Sequence, residues 1–209
     1  TIYKLFNCDS PTGYSTNVNN LLIDILKEIG YTANLTNKGN VRLFVEGQNH
    51  EKRVATSAHV DTLGLMVRSI NGDGTLKVTN VGGPSIPTLD GEYCKIMTRQ
   101  GKSYTGTILC SSSSVHVYED AKSKSRDLDS MLIRIDERVN SKDDVKKLGI
   151  DNGDYIFIDP KTTITESGFL KSRFIDDKAS VCAILGVLKK LKDTCQKPYY
   201  DTYVYFVNQ

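Results

Sequence analysis

A histidine and an aspartate two positions apart close the stretch Arg53-Val-Ala-Thr-Ser-Ala-His59-Val60-Asp61. Val54 to Ala58 reads as a short strand that runs into this pair. Side chains at i and i+2 of extended backbone point to one side. The imidazole of His59 and the carboxylate of Asp61 can therefore meet just beyond a strand's carboxyl end, where open α/β sheets place their ligands. A carboxylate behind one imidazole nitrogen is the usual support of a metal-binding histidine, and Ala55, Ser57 and Ala58 are small enough to leave room. The same residues also suit a solvated loop after a strand, since one histidine is no metal site. Partners must come from elsewhere in the chain.

The elements that position the pair flank it. Thr12 to Ser15 forms a turn with Ser15 or Thr16 as N-cap, and Val18, Leu21, Leu22, Ile25 and Ile29 recur at helical spacing up to Gly30. Val41, Leu43 and Val45 alternate as in a strand, and Gly47 to His50 reads as a turn that leaves His50 solvated. From Leu65 the texture changes to short strands. A hairpin around Asn71-Gly-Asp-Gly74 joins Leu65–Ile70 to Thr75–Thr79. Further strands are expected at Tyr93–Thr98, Tyr104–Leu109, Met131–Ile135 and Tyr155–Ile158, a spacing that suggests a small barrel or sandwich. One helix interrupts them, opened by the capping pair Ser141 and Asp144 and ended by Gly149. The polar stretches Ser111 to Ser114 and Glu119 to Asp129 read as a mobile loop, in which His116 lies solvated.

After Gly168 the helix–strand texture returns. Asp176-Asp177 leads into Val181 to Leu188, apolar on every side and so expected to be a buried helix, with either aspartate available as its N-cap. Tyr203 to Val207 is a strand expected inside a sheet. A buried helix and an interior strand this close to the last residue suggest the front part of a longer protein.

Hydrophobic content of 39% and charged content of 25% fit a globular chain rather than a disordered one. The net charge is +2, and no basic run or aromatic-basic stripe argues for nucleic acid. No apolar run reaches the ~18 residues of a membrane span, and no signal-peptide pattern opens the chain. Five cysteines without a Cys-x-x-Cys pair point to reduced thiols and a cytoplasmic location.

Taken together, Ala58-His-Val-Asp-Thr-Leu-Gly-Leu-Met-Val67, Gly82-Gly83 and Ser172-Arg-Phe-Ile-Asp-Asp-Lys-Ala179 resemble the glutamyl aminopeptidase and endoglucanase-M family of dinuclear metallo-aminopeptidases, which includes the tetrahedral and deblocking aminopeptidases. The resemblance runs from the Gly13 turn to the last residue. It implies an α/β, three-layer peptidase domain, incomplete at its C-terminus and interrupted by a small β-barrel. In this parse residues 1–64 and 165–209 form the peptidase domain and residues 65–164 the inserted barrel, which mediates dimer contacts.

The resemblance also implies site roles. His59 would bind one metal, Asp176 would bridge two divalent ions (zinc or cobalt), and Asp61 would orient His59. Asp177 is left as a helix cap. A Gln such as Gln209 would precede a pair of glutamates, one the catalytic base and the other a ligand, with further ligands beyond. On this reading the protein releases the N-terminal residue of peptides, forms homo-oligomers in which dimers build a dodecamer, and uses neither nucleic acid nor membrane. Residues 1–209 alone would lack the base. The competing reading is a catalytically inactive fragment or paralogue that acts through protein contacts. Thr62-Leu63 and Ser15 depart from the family's commoner residues, and Lys178 stands for its usual arginine.

Overall fold

The computed structural model describes residues 1–208. The chain opens with a short helix α1 (Ile2–Phe6), a long helix α2 (Thr16–Ile29), and strands β1 (Ala33–Leu35), β2 (Val41–Val45) and β3 (Asn49–His59). Next come β4 (Gly64–Ile70), β5 (Leu76–Val81), a 3-10 turn at Ile86–Leu89, β6 (Tyr93–Met97), β7 (Ser103–Cys110), β8 (Met131–Ile135), α3 (Lys142–Lys147) and β9 (Tyr155–Ile158). The hairpin β10 (Thr163–Ile164) and β11 (Leu170–Lys171), helix α4 (Lys178–Asp193) and strand β12 (Tyr200–Val207) complete it. Two units result: Thr1–Thr62 together with the chain from Pro160 onward, and Leu63–Asp159 between them.

The first unit is built on a four-stranded sheet in the order β1-β2-β12-β3, in which β12 runs antiparallel to β2 and parallel to β3. Its core is one apolar cluster. Val18, Leu22, Ile25 and Leu26 of α2 meet Val181, Leu185 and Leu188 of α4 and the inward-facing Val41, Leu43, Val45, Ala58, Val204 and Phe206 of the sheet. Spacings of three and four residues put each helical set on one stripe. Gly30 ends α2 in the left-handed conformation, φ 92°, which costs glycine little. Ser15 takes the N-cap position, but its hydroxyl makes no cap bond.

Helix α4 departs from the expected all-round burial. Lys178, Val181, Leu185 and Leu188 are buried, whereas Ala183 and Gly186 are exposed and Val187 is 59% exposed. The described residues supply helices to one face of the sheet, so only one stripe of α4 is covered. The opposite face shows Phe44 and Tyr203 with ring centroids 5.1 Å apart. Strand β3 is also longer than expected. It begins at Asn49 because its early residues pair with Tyr200 and Asp201 of β12, with a register shift between those two.

The second unit is a closed barrel of six antiparallel strands in the order β4-β5-β8-β7-β6-β9, with β9 returning to β4 through Leu65↔Ile156 and Met66↔Tyr155. Alternate residues fill it, among them Leu65, Val67, Leu76, Val78, Ile96, Ile108, Ile133 and Ile156. Gly106 is required by close approach: a Cβ there would lie 2.8 Å from the Arg134 carbonyl. Ser141 caps α3 by accepting from the Asp144 amide, as its sequence pattern indicates. The boundary after β9 falls earlier than residue 164, because Thr163–Ile164 pairs with Leu170–Lys171 in the first unit. The 111–130 segment is braced rather than loose. Arg126 donates to Asp90 and to the carbonyls of Ala121 and Lys124, while Asp127 accepts from the amides of Asp129 and Ser130.

Candidate functional site

The parallel ladder of β3 and β12 delivers His59 to the carboxyl end of the sheet, directly opposite Val207. One residue on, the fully buried Val60 donates its amide to the Val207 carbonyl at 3.0 Å. The chain then turns into Asp61 and Thr62, both buried. A segment from before α2 runs alongside them. Ser10 donates its hydroxyl to the Val60 carbonyl at 2.8 Å, the Thr62 amide donates to the Ser10 carbonyl at 2.8 Å, and Pro11 forms a parallel bridge with Thr62. Thr12 completes the strap by donating its hydroxyl to Asp61 Oδ2 at 2.7 Å.

Both ring nitrogens of His59 face acceptors. Nδ1 lies 3.2 Å from the Asp61 carbonyl and 3.2 Å from Asp61 Oδ1. Only the carbonyl is well aligned as a hydrogen-bond partner, and Oδ1 is a buried oxygen without a directed one. A carbonyl only accepts, so Nδ1 carries a proton. Nε2 lies 3.0 Å from Asp176 Oδ1, a contact between residues 117 positions apart. Partial burial pulls the imidazole pKa down, but the Asp176 hydrogen bond and the charges of Asp61 and Asp176 outweigh it and raise the pKa above its usual value.

Asp176 and Asp177, joined by a cis peptide bond, sit at the start of α4. Asp177 occupies the N-cap position but makes no side-chain cap bond. Its Oδ2 instead accepts the backbone amide of His59 at 3.3 Å. Lys178 is completely buried and donates Nζ to the Cys8 carbonyl at 2.7 Å. Burial lowers its pKa to about 8, against a partial opposing effect of Cys8 and Asp9. Lys178 thus ties the start of α4 to the segment that also carries Ser10 and Thr12.

His59, Asp61 and Asp176, the three residues singled out in the sequence, therefore come together, and Thr12 and Asp177 join them. Neither of the latter shows a local signal for this role, since Thr12 reads as a turn residue and Asp177 as a cap. His50 is exposed, as expected, and its Nδ1 also lies 2.9 Å from the buried Asp201, at the far end of β3. His116 stays exposed in the barrel unit. Gln209, the expected lead-in to the glutamate pair, lies outside the described residues.

An imidazole nitrogen and a carboxylate oxygen are the donor types of zinc and cobalt sites. In His59 and Asp176 they converge, with the Asp176 side chain 93% exposed. The donors fit a divalent ion in kind. In number they are a pair, because among the described residues no group of three or more His, Cys, Asp or Glu is arranged so that it could hold a metal ion.

Comparison with known proteins agrees with the fold and the motifs. YhfE of Bacillus subtilis (strain 168), named as an aminopeptidase, is 42% identical over 199 residues, covering 95% of this chain and 58% of YhfE. The structure of aminopeptidase APDkam598 from the archaeon Desulfurococcus kamchatkensis superposes with a TM-score of 0.86 at 27% identity, covering 100% of this chain and 54% of that one. The Pyrococcus horikoshii TET1 peptidase, described as assembling into a tetrahedron or a large octahedral shell, shares the fold with a TM-score of 0.81 at 20% identity, covering 99% of this chain and 59% of that one. The chain spans a little over half the length of these relatives. The family model of the M42 glutamyl aminopeptidases matches residues 39–209, and the chain belongs to that family.

Proposed function

We propose that His59 and Asp176 are metal ligands of an aminopeptidase that releases the N-terminal residue of peptides. The observation that carries this reading is the 3.0 Å convergence of His59 Nε2 and Asp176 Oδ1 from residues 117 positions apart. It occurs at the carboxyl end of a parallel strand pair, in a chain of this family. Two divalent ions, zinc or cobalt, would supply an activated water and polarise the scissile carbonyl when bound. Asp176, with two carboxylate oxygens and an open surface, is the residue suited to bridge them. Asp61 holds the Nδ1 proton of His59 through its carbonyl, with its carboxylate Oδ1 also 3.2 Å from Nδ1, which keeps Nε2 as the coordinating atom.

Ligand binding here competes with a proton. His59 Nε2 is engaged with Asp176 Oδ1, so metal uptake by this pair should release a proton from His59. By family resemblance the barrel unit makes subunit contacts within a homo-oligomer, and the five free thiols suit a reducing, cytoplasmic setting. No helix among the described residues is long and apolar enough to cross a membrane.

A second reading is a chain that acts through protein contacts without turnover. The absence of any three-donor cluster among the described residues favours it for these residues alone. A protein of the family's full length that carries these residues separates the two readings. The aminopeptidase reading expects release of the N-terminal residue from short peptides, loss of activity with a chelator, and recovery with Zn²⁺ or Co²⁺. Activity that survives exhaustive chelation contradicts it.

A further inference from the structure

We infer that Thr12 is a positioning residue for His59 and acts through Asp61. Its hydroxyl donates to Asp61 Oδ2 at 2.7 Å, the length of a strong bond to a charged acceptor. The other oxygen, Oδ1, is buried, stands 3.2 Å from His59 Nδ1, and has no directed hydrogen bond of its own. Rotation of the carboxylate about its last bond would carry Oδ1 away from the imidazole. The Thr12 bond opposes that rotation.

Thr12 can do this because it is itself fixed to the loop that it serves. Its amide donates to the Thr62 carbonyl at 3.3 Å, and the Thr62 amide donates back to Ser10 at 2.8 Å. Residues 10–12 therefore run as a short bracket beside residues 60–62. A β-branched threonine has few side-chain rotamers to lose when its hydroxyl is aimed. Through this chain of contacts a residue 49 positions from Asp61 sets the direction of the imidazole.

The inference rests on His59 as a metal ligand, and its test separates the two ideas. In ¹⁵N-labelled protein the long-range proton–nitrogen spectrum of the imidazoles reports which ring nitrogen is protonated, and the signal missing in His59→Gln identifies His59. At alkaline pH, wild type and Thr12→Ser should show His59 protonated at Nδ1. Thr12→Val should show a mixture of tautomers and bind Co²⁺ about 10-fold more weakly. Thr12→Ala removes the hydroxyl without added bulk and is read the same way if the valine variant does not fold. Ser10→Ala, which loses the hydroxyl contacts to the Val60 and Cys8 carbonyls but keeps the backbone bonds to Thr62, should lower the melting temperature and leave the His59 signal in place. An unchanged His59 signal and Co²⁺ affinity in the variants without the hydroxyl would overturn the inference, as would an equal shift in Ser10→Ala. Co²⁺ affinity that is intact in His59→Gln instead overturns the metal reading, while the spectrum still scores Thr12.

Discussion

The backbone amide of His59 donates to the carboxylate of Asp177 at 3.3 Å, across 118 residues of chain that include the whole barrel unit. This bond couples the end of β3 to the start of α4, and hence His59 to its neighbour Asp176. Asp177→Ala should lose a hydrogen bond to a charged acceptor, worth about 1–2 kcal/mol. It should also speed hydrogen exchange at the His59 amide. Asp177→Asn keeps an acceptor oxygen and should recover most of both. Unchanged exchange at His59 in the alanine variant would show that the bond carries no weight.

The barrel unit should respond to pH through Asp154. Its side chain is buried, one oxygen accepts the Asp151 amide, and Arg99 Nε is 3.9 Å from the other. Burial raises its pKa, more than the amide bond and Arg99 lower it. An aspartate unfolds to a pKa near 3.9. With the folded value above that, its contribution to stability is full at lower pH and falls as pH rises through the folded pKa. Asp154→Asn keeps the acceptor and removes the fall, so its melting temperature should match or exceed wild type at pH 7. A variant that melts lower at pH 7 contradicts this account.

The far end of the sheet should respond in the opposite sense. Asp201 accepts from the Gly47 amide at 2.9 Å and pairs with His50 at 2.9 Å, and the Gly47 bond is foremost in lowering its pKa. A lowered carboxylate contributes stability above its unfolded value and loses it as pH falls through the folded one. Urea melts of Asp201→Asn should therefore show a flatter acid limb than wild type. Gly47→Ala should be worse at every pH, because its Cβ would lie 2.3 Å from the Tyr200 carbonyl carbon.

Much of the fold was legible where periodicity is strong. The α2 stripe, the capped α3 and strands such as Met131–Ile135 and Tyr155–Ile158 stand where the pattern puts them. Helix α1, strand β1 and the β10–β11 hairpin are too short to show a period. The early part of β3 is mostly exposed and owes its extended form to pairing with β12, which no local pattern records. The same limit applies at the site. His59 and Asp61 are legible because i and i+2 share a side of a strand. Asp176 entered through family resemblance, and its contact with His59 is a product of tertiary structure. Thr12 and Asp177 had stronger local readings, a turn and a cap, that concealed their long-range partners.

The most direct test of the account is calorimetric titration of the 209-residue chain with Co²⁺ and Zn²⁺, in wild type, His59→Gln, Asp176→Asn, Asp61→Asn and His116→Gln. The account predicts weak binding that disappears in His59→Gln and Asp176→Asn. It should fall about 10–100-fold in Asp61→Asn, weaken as pH drops and the raised pKa keeps His59 protonated, and stay unchanged in His116→Gln. Tight binding of two ions per chain, or binding that persists in both His59→Gln and Asp176→Asn, would contradict it.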